Sequence, residues 1–268
     1  MNEAPLKVAL HGATGRMGRA IARLCHAAQD IQIVGAVAHP DDPDLGKDLG
    51  ALSGIDVLGV EVSADVASGL LGAQVVIDFS LAPAVAQLAA VASKNGVALV
   101  IGTTNLDAAT TAALEKAATK VPVLWARNMS LGVQVLAEMV ESAVKRLGPA
   151  FDVEVVEVHH HHKVDAPSGT ALRLADAVKA ARPEAQLVFG RQGQPGARNP
   201  NEVGVMALRG GDVIGDHTVF LFGNGERLEL THRATNRDLF AHGAIAAARF
   251  LVGKKPGMYS IADVLAAS

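Results

Sequence analysis

Through the first half of the chain, short apolar runs alternate with longer Ala-rich segments. Residues 7–11, 31–37, 75–79, 98–101 and 121–125 are compact aliphatic stretches, the pattern of strands buried on both faces. Between them, residues 17–28, 83–95 and 107–119 read as helices, with Pro83 in a first turn and Asp107 at an opening. Strands alternating with helices predict a doubly wound parallel sheet of Rossmann-like α/β type, whose ligands sit at the C-terminal ends of its strands.

After a helix over 132–147 the rhythm changes. Residues 151–158, 186–189, 203–209, 213–221 and 227–234 read as strands, with one clear helix among them starting near Ala171. That predicts a second domain of α+β type on an open, mixed or antiparallel sheet. Residues 191–201, with two Pro and two Gly, read as a long mobile loop. Residues 239–252 and 260–267 return to the helical, Ala-rich style of the first half. The expected division is therefore a dinucleotide-binding domain of residues 1–130 plus 240–268, and a substrate-binding and oligomerisation domain of 131–239. An exposed sheet edge in the second domain invites self-association.

Composition narrows the class. The chain has 268 residues, half of them hydrophobic but only 3% aromatic, so its core is built from Ala, Val, Leu and Ile. A formal charge of −3 gives no reason to expect nucleic acid or an anionic membrane as partner. The single Cys25 suits a reducing compartment, and neither a secretion signal nor a membrane-spanning run is evident. A soluble cytoplasmic protein is expected.

The first apolar run leads directly into Gly12-Ala13-Thr14-Gly15-Arg16-Met17-Gly18, followed by a helix. Glycines there let backbone N–H groups approach a pyrophosphate, and the helix dipole favours its charge. The G-x-x-G-x-x-G spacing differs from the usual G-x-G-x-x-G, and an ordinary glycine-rich turn is the competing reading. The second run ends at Ala38-His39, where dinucleotide sites usually place an acid for the ribose hydroxyls; the next acids, Asp41 and Asp42, follow Pro40. Arg16 and His39 could instead hold a 2′-phosphate, so NADPH, NADH or both are expected, with a lean towards NADPH. Two further strand ends, Gly102-Thr103-Thr104 and Ala126-Arg127-Asn128-Met129, are candidate ligand loops.

The densest chemistry lies in Glu157-Val158-His159-His160-His161-His162-Lys163-Val164-Asp165-Ala166-Pro167-Ser168-Gly169-Thr170-Ala171. Four imidazoles, an ammonium and a carboxylate separate a strand end from a helix with a capping hydroxyl, which places proton-transfer groups beside an anion site. That arrangement suits a small acidic substrate protonated while it is held. Strand alternation predicts that His159 and His160 diverge, and His161 and His162 read as solvated loop residues. A zinc site is the competing reading, but consecutive residues on a strand do not converge on one ion, and no metal is expected.

With both motifs in view, the chain resembles the 4-hydroxy-tetrahydrodipicolinate reductase (dihydrodipicolinate reductase) family over essentially its whole length. Beyond the two motifs, Ile77-Asp78-Phe79-Ser80 and Asn128-Met129-Ser130 carry the likeness. The resemblance implies NAD(P)H-dependent reduction of a small cyclic dicarboxylate with loss of water, in lysine and diaminopimelate synthesis, by a homotetramer whose domains close over the ligands. It implies His159 as acid/base, Lys163 as proton donor or charge clamp, and His160, Ser168, Gly169 and Thr170 as substrate contacts. It also implies Gly12, Ala13, Thr14, Gly15, Arg16, Met17, Ala38, His39, Gly102, Thr103, Thr104, Ala126, Arg127, Asn128 and Met129 around the nucleotide. Ala38, His39, Arg127 and His161 depart from residues common in the family. Another nicotinamide-dependent dehydrogenase of an amino-acid precursor and a non-catalytic nucleotide sensor are the alternatives.

Overall fold

The computed structural model describes residues 4–267. The chain divides into two compact units, Met1–Met129 with Asp238–Ser268, and Ser130–Arg237. In chain order the first unit begins β1 (Leu6–His11), α1 (Arg16–Ala27), β2 (Ile31–Val37), α2 (Leu49–Ser53), β3 (Val62–Ser63) and α3 (Val66–Gly69). It continues with β4 (Val75–Asp78), α4 (Ala82–Asn95), β5 (Ala98–Ile101), α5 (Ala108–Ala118) and β6 (Pro122–Trp125). The second unit holds α6 (Leu131–Leu147), β7 (Asp152–His159), α7 (Gly169–Ala181), β8 (Gln186–Val188), β9 (Glu202–Arg209), β10 (Gly215–Gly223) and β11 (Glu226–Ala234). The last elements, α8 (Asp238–Leu251), β12 (Gly257–Tyr259) and α9 (Ile261–Ala266), belong to the first unit.

All seven strands of the first unit are parallel, in the order β12-β6-β5-β4-β1-β2-β3. Strand order reverses between β1 and β4, the switch point at whose C-terminal end ligands of such sheets bind. The continuous apolar runs follow from burial on both faces: Val75, Val76 and Ile77 are at most 1% exposed. Asp107 caps α5 by accepting the Thr110 N–H at 2.7 Å. Residues 40–74 hold elements that the hydrophobic pattern did not announce, because α2, β3 and α3 span five, two and four residues, too few to display a period. Asp48 organises that stretch, accepting from the N–H groups of Ala51, Leu58 and Val60 at 3.0–3.2 Å.

The second unit is a five-stranded mixed sheet, β11-β10-β7-β9-β8. β10 runs antiparallel to β11 and β7, whereas β9 runs parallel to β7 and β8. Its core joins Leu136, Val140 and Val144 of α6 and Leu174 and Val178 of α7 to Val153, Val155, Val203, Val205, Val219 and Leu221 of the sheet. β7 alternates strictly, so Glu157 and His159 lie on the same buried side as Val153 and Val155. Two arginines of the 191–201 loop reach back to β7. Arg191 donates to Glu154 at 2.7 and 3.0 Å, and Arg198 to Asp152 at 2.7 Å.

Candidate active site

The end of β7 concentrates the polar burial of the second unit. Glu157 is fully buried and His159 is 8% exposed, with His159 Nδ1 only 2.6 Å from Glu157 Oε2. Arg209, at the end of β9 and in register with His159 on β7, turns back on Glu157 with two bonds of 2.7 and 2.8 Å. The Ser168 N–H fills the remaining position on Oε1 at 3.0 Å. Burial opposes ionisation most strongly, yet the donors from Arg209, His159 and Ser168 together hold the Glu157 carboxyl below its usual range. An ionised carboxylate only accepts, so Nδ1 of His159 carries the proton of that bond and Nε2 is the ring's other, reactive nitrogen. A Cβ on Gly215 would come within 2.9 Å of that Nε2, so glycine at this position leaves the nitrogen its space.

His217 on β10 stands edge-on to His159, with ring centroids 5.1 Å apart. Burial, helped by the neighbouring His159, pushes the His217 imidazole down to about 4, so it is neutral at ordinary pH. Its Nε2 meets the Ser168 hydroxyl at 3.0 Å, while that hydroxyl caps α7 by accepting the Ala171 N–H at 3.1 Å. Ser168 is thus 2% exposed and committed through both its N–H and its hydroxyl. These bonds build the head of α7. Gly169, next in the chain, is exposed, with nothing within 4 Å of where a Cβ would stand, and Thr170 follows in the same first helical turn.

The neighbouring imidazoles diverge from His159. His160 accepts from Arg237 at 3.2 Å through Nε2 and leaves a buried Nδ1 without a partner. Burial and the Arg237 charge lower its basicity. His161 and His162 are exposed and lie against each other, ring centroids 3.9 Å apart. Among the described residues no group of three or more His, Cys, Asp or Glu could hold a metal ion. Lys163 points its Nζ to both oxygens of Asp165, at 2.8 and 2.9 Å, and this contact above all lowers the Asp165 carboxyl. Asp165 is 58% exposed, so the pair is worth little.

In the first unit the glycine loop closes on the switch point. Gly12 has φ +75°, and a Cβ there would lie 2.5 Å from the Phe79 carbonyl oxygen. The N-cap of α1, Gly15, offers no side-chain cap and no acid follows in the first turn. His11 and Asp78, register partners on β1 and β4, are joined by a buried contact of 2.7 Å. The Thr103 hydroxyl donates to the other oxygen of Asp78 at 2.6 Å, and Trp125 Nε1 donates to the Thr103 carbonyl at 3.2 Å. Arg127 lies over the Trp125 ring, 5.8 Å from its centroid. The loops after β1, β4, β5 and β6, with Gly102–Thr104 and Ala126–Met129 among them, are therefore cross-linked. Ala13, Ala38 and Met129 are buried and can offer a ligand little beyond backbone.

Two facts beyond β2 were out of reach of the sequence pattern. Thr14 donates to Asp42 at 2.6 Å, tying that acid to the glycine loop, and this bond first of all lowers the Asp42 carboxyl. Arg19 is spent on Thr14, Leu52 and Asp44. His39 accepts from the Asp41 N–H at 3.2 Å and is mostly exposed, as is Arg16.

Sequence comparison decides the family. Residues 6–129 match the profile described as "Dihydrodipicolinate reductase, N-terminus" and residues 132–265 that of "Dihydrodipicolinate reductase, C-terminus". The chain belongs to the dihydrodipicolinate reductase family. Among similar relatives, the 4-hydroxy-tetrahydrodipicolinate reductase of Anaeromyxobacter dehalogenans (strain 2CP-C) is 50% identical over 262 residues, 97% of each chain. That of Myxococcus xanthus is 47% identical over 264 residues, again 97% of each. In fold, the chain is similar to a dipicolinate-bound dihydrodipicolinate reductase from Paenisporosarcina sp., with a TM-score of 0.77 at 24% identity, covering 96% of this chain and 97% of that one. For this dihydrodipicolinate reductase chain, the motif residues stood out in sequence, but Arg209, His217 and the His11–Asp78 pair did not. Their partners lie 52, 49 and 67 residues away, and only register joins them.

Proposed function

We infer that this chain reduces 4-hydroxy-tetrahydrodipicolinate to tetrahydrodipicolinate with loss of water, using NADH or NADPH, in lysine and diaminopimelate synthesis. The observation that carries this reading is His159, anchored through Nδ1 with Nε2 left to react, on a strand that leads through Lys163 to the head of α7. The nicotinamide, when bound, supplies the hydride. The protein's share is to hold and protonate. Lys163 exchanges Asp165 for a substrate carboxylate, and the first turn of α7 at Gly169 and Thr170 receives the charge of a carboxylate by charge-assisted hydrogen bonds and the helix dipole. His159 then delivers a proton from Nε2 to the carbon next to the one that has accepted hydride, where electron density must be discharged.

The open N-terminus of α1, the close-packed turn at Gly12 and the cross-linked loops fit a dinucleotide. Asp42 argues for NADH, because a carboxylate tied to Thr14 accepts ribose hydroxyls and repels a 2′-phosphate. Arg16 and His39, both exposed, are the groups that would favour NADPH instead. A homotetramer remains the assembly we favour, supported by Phe220 and Phe222, whose stacked rings lie 5.6 Å apart, and by Leu228, 41% exposed. Among the described residues no helix is long and apolar enough to cross a membrane, and a cytoplasmic setting suits the unpaired Cys25.

Dipicolinate, a planar dicarboxylate, tests the substrate reading. It should compete with the substrate, and Lys163→Ala should weaken its binding about tenfold or more while nucleotide affinity holds. Failure of dipicolinate to bind or compete would refute the assignment of Lys163 and α7 as the dicarboxylate site.

A further inference from the structure

We propose that Glu157, clamped by Arg209, is a positioning residue for the reduction: it fixes the His159 ring with Nδ1 bound and Nε2 presented, and ties that ring to the head of α7. The inference rests on His159 being the proton donor. Glu157 does not reach substrate itself. It is fully buried, and its two oxygens are taken by four donors of the chain, His159 Nδ1, two Arg209 nitrogens and the Ser168 N–H. About four acceptor sites is the capacity of a carboxylate. Packing does not call for such a group, since Val153 and Val155 fill the same face of β7 with aliphatic side chains. A buried carboxylate is costly unless every lone pair is met, and here the four donors come from β7, β9 and the head of α7.

The arrangement has a chemical consequence. With Nδ1–H held by a carboxylate, the neutral ring has a bare Nε2 and only the imidazolium carries an Nε2–H to give. When that N–H bond breaks, its proton forms the new C–H bond with the electron pair left by hydride addition. The ring returns to neutral and is reprotonated from solvent. Glu157 holds the ring's tautomer and orientation, as a carboxylate behind a catalytic imidazole does generally. The other charged or titratable groups around the ring are Arg209 from β9, neutral His217 from β10, and His160, Lys163 and Asp165 from the loop.

The test compares Glu157→Gln, Arg209→Gln and His159→Gln in steady-state kinetics across pH, with nucleotide binding measured separately. Glu157→Gln should lower kcat by about 10²-fold or more, within the range that acid/base groups command, and leave nucleotide affinity and the substrate KM nearly unchanged. Arg209→Gln removes the clamp and keeps the carboxylate, so it should lower kcat less than Glu157→Gln does. The double variant Glu157→Gln/His159→Gln should be no slower than His159→Gln alone. Nitrogen NMR of the unaltered protein, independent of how the variants fold, should find neutral His159 protonated on Nδ1. A loss confined to KM, additive losses, or a neutral ring protonated on Nε2 would each overturn the proposal. Wild-type turnover in His159→Gln would instead overturn the proton-donor reading beneath it.

Discussion

Replacing Asp42 by Asn should turn the nucleotide preference towards NADPH. The substitution keeps the shape of the side chain and an acceptor for the Thr14 hydroxyl, 2.6 Å away, but removes the charge that this bond helps to maintain. Two contributions set the magnitude. At a separation of about 6 Å in water, one pair of like charges costs about 0.7 kcal/mol. A 2′-phosphate carries about −1.5 to −2. Screening at physiological salt, with a Debye length of about 8 Å, cuts the repulsion to roughly 0.5–1 kcal/mol. Losing a charge-assisted hydrogen bond to ribose adds about 1 kcal/mol at a half-exposed site, below the range for fully buried ones. The sum, about 1.5–2 kcal/mol, corresponds to a shift of about 10- to 30-fold in the ratio of kcat/KM for NADPH to that for NADH. The shift should appear in KM and in direct nucleotide binding, with kcat nearly constant. A ratio that moves less than about twofold in a folded variant would refute the reasoning and return the discrimination to Arg16 and His39.

Other consequences follow from the same geometry. Lys163→Ala should lower kcat and raise the substrate KM if the ammonium both donates and clamps; a change confined to KM would leave only the clamp. Gly215→Ala places a methyl where His159 Nε2 now has room, and should lower kcat about tenfold or more with little effect on nucleotide binding. Unaltered turnover would mean that Nε2 does not face the substrate. Burial, the largest influence on Cys25, pushes its thiol up to about 12, so a thiol reagent should label the protein only on denaturation. Rapid labelling of the native protein would contradict that burial.

The sequence pattern carried the first sheet well because strands buried on both faces announce themselves as continuous apolar runs, and Asp107 and Ser168 sat where helix caps belong. Strand alternation also anticipated that His159 and His160 part company, the one buried beside Glu157 and the other turned to Arg237. What it did not carry depends on register and on chain reversals. Nothing local in Arg209 or His217 indicates that β9 and β10 bring them to β7. Asp42 reaches Thr14 through a turn after Pro40 that has no period to read. The bond from the Ser168 N–H was hidden for a related reason: it lies at a helix start, where an outside anion was expected, and Glu157 supplies an anion there from within the fold.

The most direct measurement of the central claim is nucleotide oxidation by the full chain, with substrate generated in place from pyruvate and aspartate semialdehyde by a synthase. NADH and NADPH would be compared for the unaltered protein and for His159→Gln. The account predicts synthase-dependent oxidation with NADH favoured, and a fall of about 10²–10⁴-fold in His159→Gln with nucleotide binding intact. Nucleotide binding without synthase-dependent oxidation would contradict it.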